Sequence, residues 1–294
     1  MFDYKANTLL TLVQKGSYTK AAQSLMLTQP AVSHQIRQLE MEFGIQIFYK
    51  GKKGLKLTPE GSILVKYARR SAAIYNNARQ AIEDSRNNLR RFTVAITPTA
   101  SESLVPKMLA HYCDENPDVH IKILTDPIKK IYDKLKAYET DIAIVEGCVT
   151  DTSLSPILLD TDYVCLAVAP NHRLSGHATV GLEDIRRERF ILRSRKANTR
   201  ALFEQYLANR SESIKNLNIM MEIDNIATIK ELVAQGLGIT VIAHSACREE
   251  ENNGRLSIIP IENAGMVREI NIVTTRDFAH PDILEEFRKI YNML

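Results

Sequence analysis

Two stretches decide the first part of the fold: Gly16-Ser17-Tyr18-Thr19-Lys20-Ala21-Ala22 and Thr28-Gln29-Pro30-Ala31-Val32-Ser33-His34-Gln35-Ile36. The first ends one helix at Gly16 and offers Ser17 and Thr19 as caps for a short second helix carrying Ala21, Ala22 and Leu25. The second opens a third helix. Thr28 stands at the capping position, and Pro30 falls in the first turn, where its missing N–H costs nothing. Val32, Ile36, Leu39 and Phe43 form its buried stripe, which stops at Gly44. Upstream, Ala6, Leu9, Leu10 and Val13 repeat at i, i+3, i+4 and i+7, the spacing of one helical face. Three short helices with a tight turn before the third predict a helix-turn-helix.

Working outward, Ile45–Phe48 and Leu55–Leu57 read as two short strands around a turn holding Gly51 and Gly54. That hairpin carries Lys50, Lys52 and Lys53, which makes it a basic wing. The polar face of the third helix would enter a DNA major groove, where base edges differ in donor and acceptor pattern. Candidate DNA-binding residues are therefore Ser17, Thr28, Gln29, Pro30, Ser33, His34 and Arg37, with Lys50, Lys52 and Lys53 for backbone phosphates. An alternative use of Arg37 is an ion pair with Glu40. Thr58 and Pro59 then open a long helix to about Asn88. Its stripe of Leu64, Ala68, Ser71, Tyr75, Ala78 and Ile82 alternates steps of four and three, the repeat of a coiled-coil seam, and predicts dimerisation. The plainer alternative is a helix packed on its own domain.

These stretches, with Leu39-Glu40, Gly44, Phe48 and Leu57-Thr58-Pro59-Glu60-Gly61, closely resemble the winged helix-turn-helix signature of LysR-type transcriptional regulators. The resemblance implies an effector domain similar to periplasmic binding proteins and assembly as dimers or tetramers. It also implies binding to interrupted palindromes in double-stranded DNA near promoters, with RNA polymerase as a partner. Lys50 departs from the pattern: such regulators usually carry arginine there, and a lysine cannot supply a bidentate contact.

The whole chain of 294 residues is 45% hydrophobic and 25% charged, enough apolar material for about two cores. Its net charge of +3 conceals a division. Residues 1–91 hold 15 Lys and Arg against 6 Asp and Glu, or +9; the remainder holds 23 against 29, or −6. A basic head on an acidic body fits one part meeting a polyanion. Met1-Phe2-Asp3-Tyr4 lacks a basic segment leading into an apolar one, so no secretory signal is expected. The longest uncharged stretch, Leu232–Cys247, is too short and polar to span a bilayer. Cys113, Cys148, Cys165 and Cys247 form no C-x-x-C pair and read as buried thiols of a reducing cytoplasm. No histidine pairing suggests a metal, no cofactor motif stands out, and no nucleophile-elbow motif marks an enzyme.

From Phe92 short strands and helices alternate, predicting two α/β units whose parallel sheets are covered on both faces. The fold class is thus α/β with an N-terminal winged helix-turn-helix, joined by a long linker helix to a two-lobed effector domain. The boundaries are 1–58 for the DNA-binding head, 59–91 for the linker and 92–294 for the body. Lobe I takes about 92–161 and 267–294, and lobe II about 162–266. Ligands of such folds sit at strand ends, near helix N-termini. Small residues at those places, polar except for Ala100, are Thr97, Thr99, Ala100, Ser101 and Thr125 in lobe I, and Ser194, Asn198 and Thr199 in lobe II. Asp126 ranks lower beside an anion. The four cations among residues 193–200 favour an anionic small-molecule effector. Gly236-Leu237-Gly238 follows a helix and so reads as its C-cap, while Glu249-Glu250-Glu251 reads as a solvated loop. Two other functions remain open: a redox regulator using a cysteine pair, or an α/β enzyme or solute-binding protein with an accessory head.

Overall fold

A computed structural model describes residues 4–49, 55–262 and 265–294. The chain divides into two compact units, residues 1–90 with 133–139 and residues 91–132 with 140–294.

In the first unit the helices are α1 (Tyr4–Lys15), α2 (Tyr18–Leu25), α3 (Gln29–Phe43) and α4 (Pro59–Asn87). Leu9, Leu12, Ala21, Ala22, Val32, Ile36 and Leu39 close a small core between α1, α2 and α3. A bond from the Thr8 hydroxyl to Gln35 Oε1 (2.6 Å) ties α1 to α3. Thr28 caps α3 by accepting from the Ala31 N–H at 3.3 Å. The strands expected on either side of the wing reduce to one antiparallel bridge, Phe48 with Leu57, among the described residues. Lys50, Lys52 and Lys53 lie outside the described residues. Thr58 joins the wing to α4: its hydroxyl accepts from Gly61 N–H (2.9 Å) and donates to the Gln46 carbonyl (2.5 Å). A Cβ at Gly61 would stand 2.2 Å from the Ile47 carbonyl oxygen, so only glycine lets α4 start this close to the wing.

Register on α4 corrects part of the predicted seam. Val65 and Ala68 are buried in the head's core and Leu64 packs against it, so Leu64 and Ala68 are spent within the unit. Ser71, Ala78 and Ile82 are exposed and Tyr75 is half-buried. The large exposed apolar side chains are Ile63, Tyr67, Ile74 and Ile82. Their face lies one residue away from the predicted stripe at the start of the helix.

After α4 the chain runs β1 (Arg90–Ile96), α5 (Val105–Glu115), β2 (Val119–Thr125), α6 (Ile128–Lys136, whose end belongs to the first unit), β3 (Ile142–Glu146), β4 (Leu154–Val168), α7 (Leu182–Ile185) and β5 (Arg189–Leu192). It continues with α8 (Asn198–Ala208), β6 (Asn218–Glu222), α9 (Ile226–Ala234), β7 (Thr240–Ala243), α10 (Arg248–Asn252), β8 (Ser257–Ile259), β9 (Val267–Thr275) and α11 (Pro281–Met293). The main sheet has the order β2-β1-β3-β9-β4-β7, with β8 on β4 and a separate β5-β6 pair. It is mixed rather than wholly parallel. β1 and β3 are parallel, whereas β9 is antiparallel to both β3 and β4, and β4 is antiparallel to β7 and β8. β4 is long enough to serve both lobes, pairing with β9 through its first half and with β7 and β8 through its second. One core packs α5 and α11 on β1, β3 and β9, and two others pack lobe II around the second half of β4.

Three further readings change. The predicted strand Tyr163–Ala169 is the second half of the fifteen-residue β4, whose first half pairs with β9. Glu249–Glu251 is not a loop but part of α10, and each acid is paired: with Lys107, Lys230 and His244 respectively. Cys165 and Cys247 are buried as expected, but Cys113 is half-buried and Cys148 exposed. At Gly236 the chain takes φ +74° just after α9, the conformation of a C-terminal turn.

Candidate DNA-reading face and effector cleft

α3 buries one stripe and presents the other. Thr28, Gln29, Pro30, His34 and Arg37 are exposed, and Ser33 and Ser17 are half-buried beside them. A groove of about 620 Å³ runs between α2, α3 and the wing, with Ser17, Thr19, Ser33 and Arg37 on its walls. Glu40 is not Arg37's partner; its Oε1 accepts from the Ile47 N–H at 2.9 Å and pins the wing to α3. Among the described residues Arg37 has no ion pair, which leaves its guanidinium available for a phosphate or a guanine edge.

In the second unit the predicted effector residues separate into groups. Thr97 is buried, but its hydroxyl is committed: it donates to the Glu146 carboxylate (2.7 and 2.8 Å to the two oxygens) and accepts from Ala100 N–H (3.1 Å). Ser101 donates to the Pro98 carbonyl at 2.8 Å, and Ala100 is buried. Thr99 of lobe I and Thr199 of lobe II meet at one small cavity of about 10 Å³. Thr125 and Asn198 are exposed and Ser194 half-buried, none of them on that cavity.

The structure adds residues that local sequence does not mark. Arg193 and Thr240 line the same cavity as Thr99 and Thr199. Glu146 closes β3 under burial that raises its pKa, opposed by the charge of Arg268 and the Thr97 hydrogen bond. Arg268 donates from Nη2 (2.9 Å) and Nε (3.3 Å) to Asp162 Oδ2, a buried pair where β4 and β9 cross between the lobes. Ser245 also donates to Asp162, through its N–H (3.0 Å) and its hydroxyl (2.9 Å). At the cleft's rim, Lys230 of α9 reaches Glu102 of lobe I (3.1 Å) and Glu250 of α10 (2.8 Å), and Lys107 reaches Glu249 (3.2 Å). Elsewhere in lobe II, a hydrogen bond to Cys247, with burial, raises the Cys165 thiol well above its usual range. Among the described residues no three His, Cys, Asp or Glu are placed to hold a metal ion, and no helix is long and apolar enough to cross a membrane.

The comparisons agree with this layout. The family model of the LysR substrate binding domain matches residues 85–292, and that of the bacterial regulatory helix-turn-helix protein, lysR family, matches residues 5–62. An uncharacterised HTH-type transcriptional regulator of Methanocaldococcus jannaschii is 28% identical, with 95% of each chain covered. The HTH-type transcriptional regulator CysL of Bacillus subtilis is 25% identical over 90% of this chain and 88% of its own. In fold, full-length CbnR solved with its target DNA superposes with a TM-score of 0.69 at 15% identity, covering 98% of both chains. With a head, a linker helix and a two-lobed body matched along its length, the chain belongs to the LysR family of bacterial helix-turn-helix transcriptional regulators.

Proposed function

We propose that this regulator binds promoter DNA through α3 and the wing, as a dimer or tetramer joined through α4, and responds to a small molecule held between the lobes. The observation that carries the DNA-binding part is the exposed face Thr28, Gln29, His34 and Arg37 on a head of charge +9. CbnR, of the same fold, is described in complex with target DNA. The finer reading places the protein in the cytoplasm, gives it RNA polymerase as a partner, and has it act by binding rather than by catalysis. The redox alternative draws on OxyR, whose full-length form shares the fold with a TM-score of 0.66. Here Cys165 and Cys247 are both buried, and burial beside Cys247 pushes the Cys165 thiol well above its usual range, which makes it a poor nucleophile. The effector reading is therefore preferred.

Salt dependence on duplex DNA tests it. Phosphate neutralisation gives log K a slope of about −0.9 per contact, so replacing Lys50, Lys52 and Lys53 by alanine should make it shallower by about 2–3. A slope near zero in the unmodified protein would remove the proposed source of affinity.

A further inference from the structure

At Tyr138 the backbone takes a conformation that its residue type disfavours. α6 ends in a closed turn there: the Tyr138 N–H donates to the Leu135 carbonyl (3.0 Å) and the Glu139 N–H to the Lys134 carbonyl (2.9 Å). That pairing puts the residue beyond the helix end in the left-handed region, and Tyr138 has φ +58°. Glycine or asparagine fits such a place with little strain, as Gly44 and Asn88 do at the ends of α3 and α4. Met26 also holds it, at the end of α2, with a side chain 95% exposed. Tyr138 differs in that its side chain is engaged.

Arg70 Nη2 donates to the Tyr138 hydroxyl oxygen at 3.0 Å, and the Arg70 guanidinium lies over the same ring, 4.7 Å from its centroid. Seven residues further along α4, Asn77 Nδ2 donates to the Tyr138 carbonyl at 3.0 Å. Arg70, Ala73 and Asn77 follow the i, i+3, i+7 spacing of one helical face. Ala73 is buried there, while Tyr67 and Ile74 on the adjoining face stay exposed. Residues 133–139 accordingly belong to the same compact unit as α4, although the chain on either side of them belongs to the other. The face that meets Tyr138 holds one alanine between two polar residues, so opening it exposes little apolar surface. Closed, the side chain holds a disfavoured backbone in place; open, that backbone is free to relax.

We propose that Tyr138 is a two-state latch on the linker helix. Its ring, hydroxyl and carbonyl clamp α4 at Arg70 and Asn77, and the left-handed backbone at the end of α6 favours release. The latch acts within one chain. It lies beside the face of Ile63, Tyr67 and Ile74, which it leaves exposed for a second copy. It concerns the linker helix alone and does not depend on what the cleft binds.

Hydrogen exchange of the full chain tests it, with sedimentation and thermal unfolding on the same samples. Tyr138→Gly removes the ring and hydroxyl and suits the backbone, while Arg70→Met removes the donor and the charge and keeps the bulk. Each should speed exchange over residues 70–80 by about tenfold or more and leave α1, α2 and α3 unchanged. The double variant should be no faster than Tyr138→Gly, because both substitutions open one contact. Unchanged exchange in both single variants overturns the proposal, and so does an additive effect in the double variant. A raised Tm in Tyr138→Gly with α4 exchange unchanged overturns it too, because Tyr138 would then be a poor helix cap and nothing more. Self-association should stay as it is in both variants. A tenfold weakening would place Tyr138 in the contact between copies and overturn the in-chain latch. Arg70→Met decides the matter if Tyr138→Gly does not fold.

Discussion

Glu146 illustrates how much a single position depends on what folds around it. Its carboxylate is buried, bonded by the Thr97 hydroxyl and facing the charge of Arg268, with burial the largest influence and a pKa raised above 4.5. The folded chain then holds a proton that the unfolded chain releases. This contribution to stability is complete below the unfolded value and is lost as pH rises through the folded one. Glu146→Gln should therefore show a shallower fall of Tm than the unmodified protein as pH rises above the ordinary glutamate value. An identical slope would assign the effect to another group. The neighbouring residues differ in how legible they are. Thr99 and Thr199 are marked in the sequence as small polar residues at strand and helix ends. Arg193 is visible only as one of four cations, and nothing local separates it from the exposed Arg195. Thr240 sits inside an apolar strand and Arg268 amid alternating polar residues, so the cavity of the first and the Asp162 pair of the second arise only from the pairing of β7 and β9 with β4.

At the scale of elements, α4 carries apolar residues on two faces of its first turns, and a seven-residue repeat can be drawn through either. Packing on the head claims Leu64, Val65 and Ala68 and leaves Ile63, Tyr67, Ile74 and Ile82 exposed. Ile74→Asp should weaken self-association at least tenfold in sedimentation while the head stays folded. Leu64→Ala should instead cost about 1–2 kcal/mol of stability with association unchanged. The opposite pattern would restore the first register. β4 was half legible for a comparable reason. Its continuously buried end, Val164–Val168, reads as a strand, whereas Leu154–Asp162 is mostly exposed, lacks strict alternation and contains Pro156 and a bulge. The α10 acids are mistaken for a loop because their partners, Lys107, Lys230 and His244, are supplied by other elements or by the turn before the helix.

For the molecule as a whole, the sequence divides into a stretch of +9 over residues 1–91 and one of −6 over the rest, while the fold divides at nearly the same place, except that residues 133–139 join the first compact unit. Within the body the lobes are joined by β4 and β9 and bridged at the rim by Lys230 and Lys107. Removing one of the two carboxylates on buried Lys230 with Glu102→Gln should speed hydrogen exchange at residues 100–103 and 226–234. About tenfold is expected, equivalent to about 1.4 kcal/mol, with β4 and β9 unchanged. Unchanged exchange at both segments would mean that this ion pair does not hold the lobes. The sequence by itself determined the helix-turn-helix, the long linker helix, the α/β body and the charge division. These rest on periodicity, caps and composition, which act between residues close along the chain. Tertiary structure alone decided which face of α4 is free, that the body's sheet is mixed, and which cation turns inward. Those outcomes depend on burial and hydrogen-bond satisfaction among residues far apart in sequence, which no local pattern records.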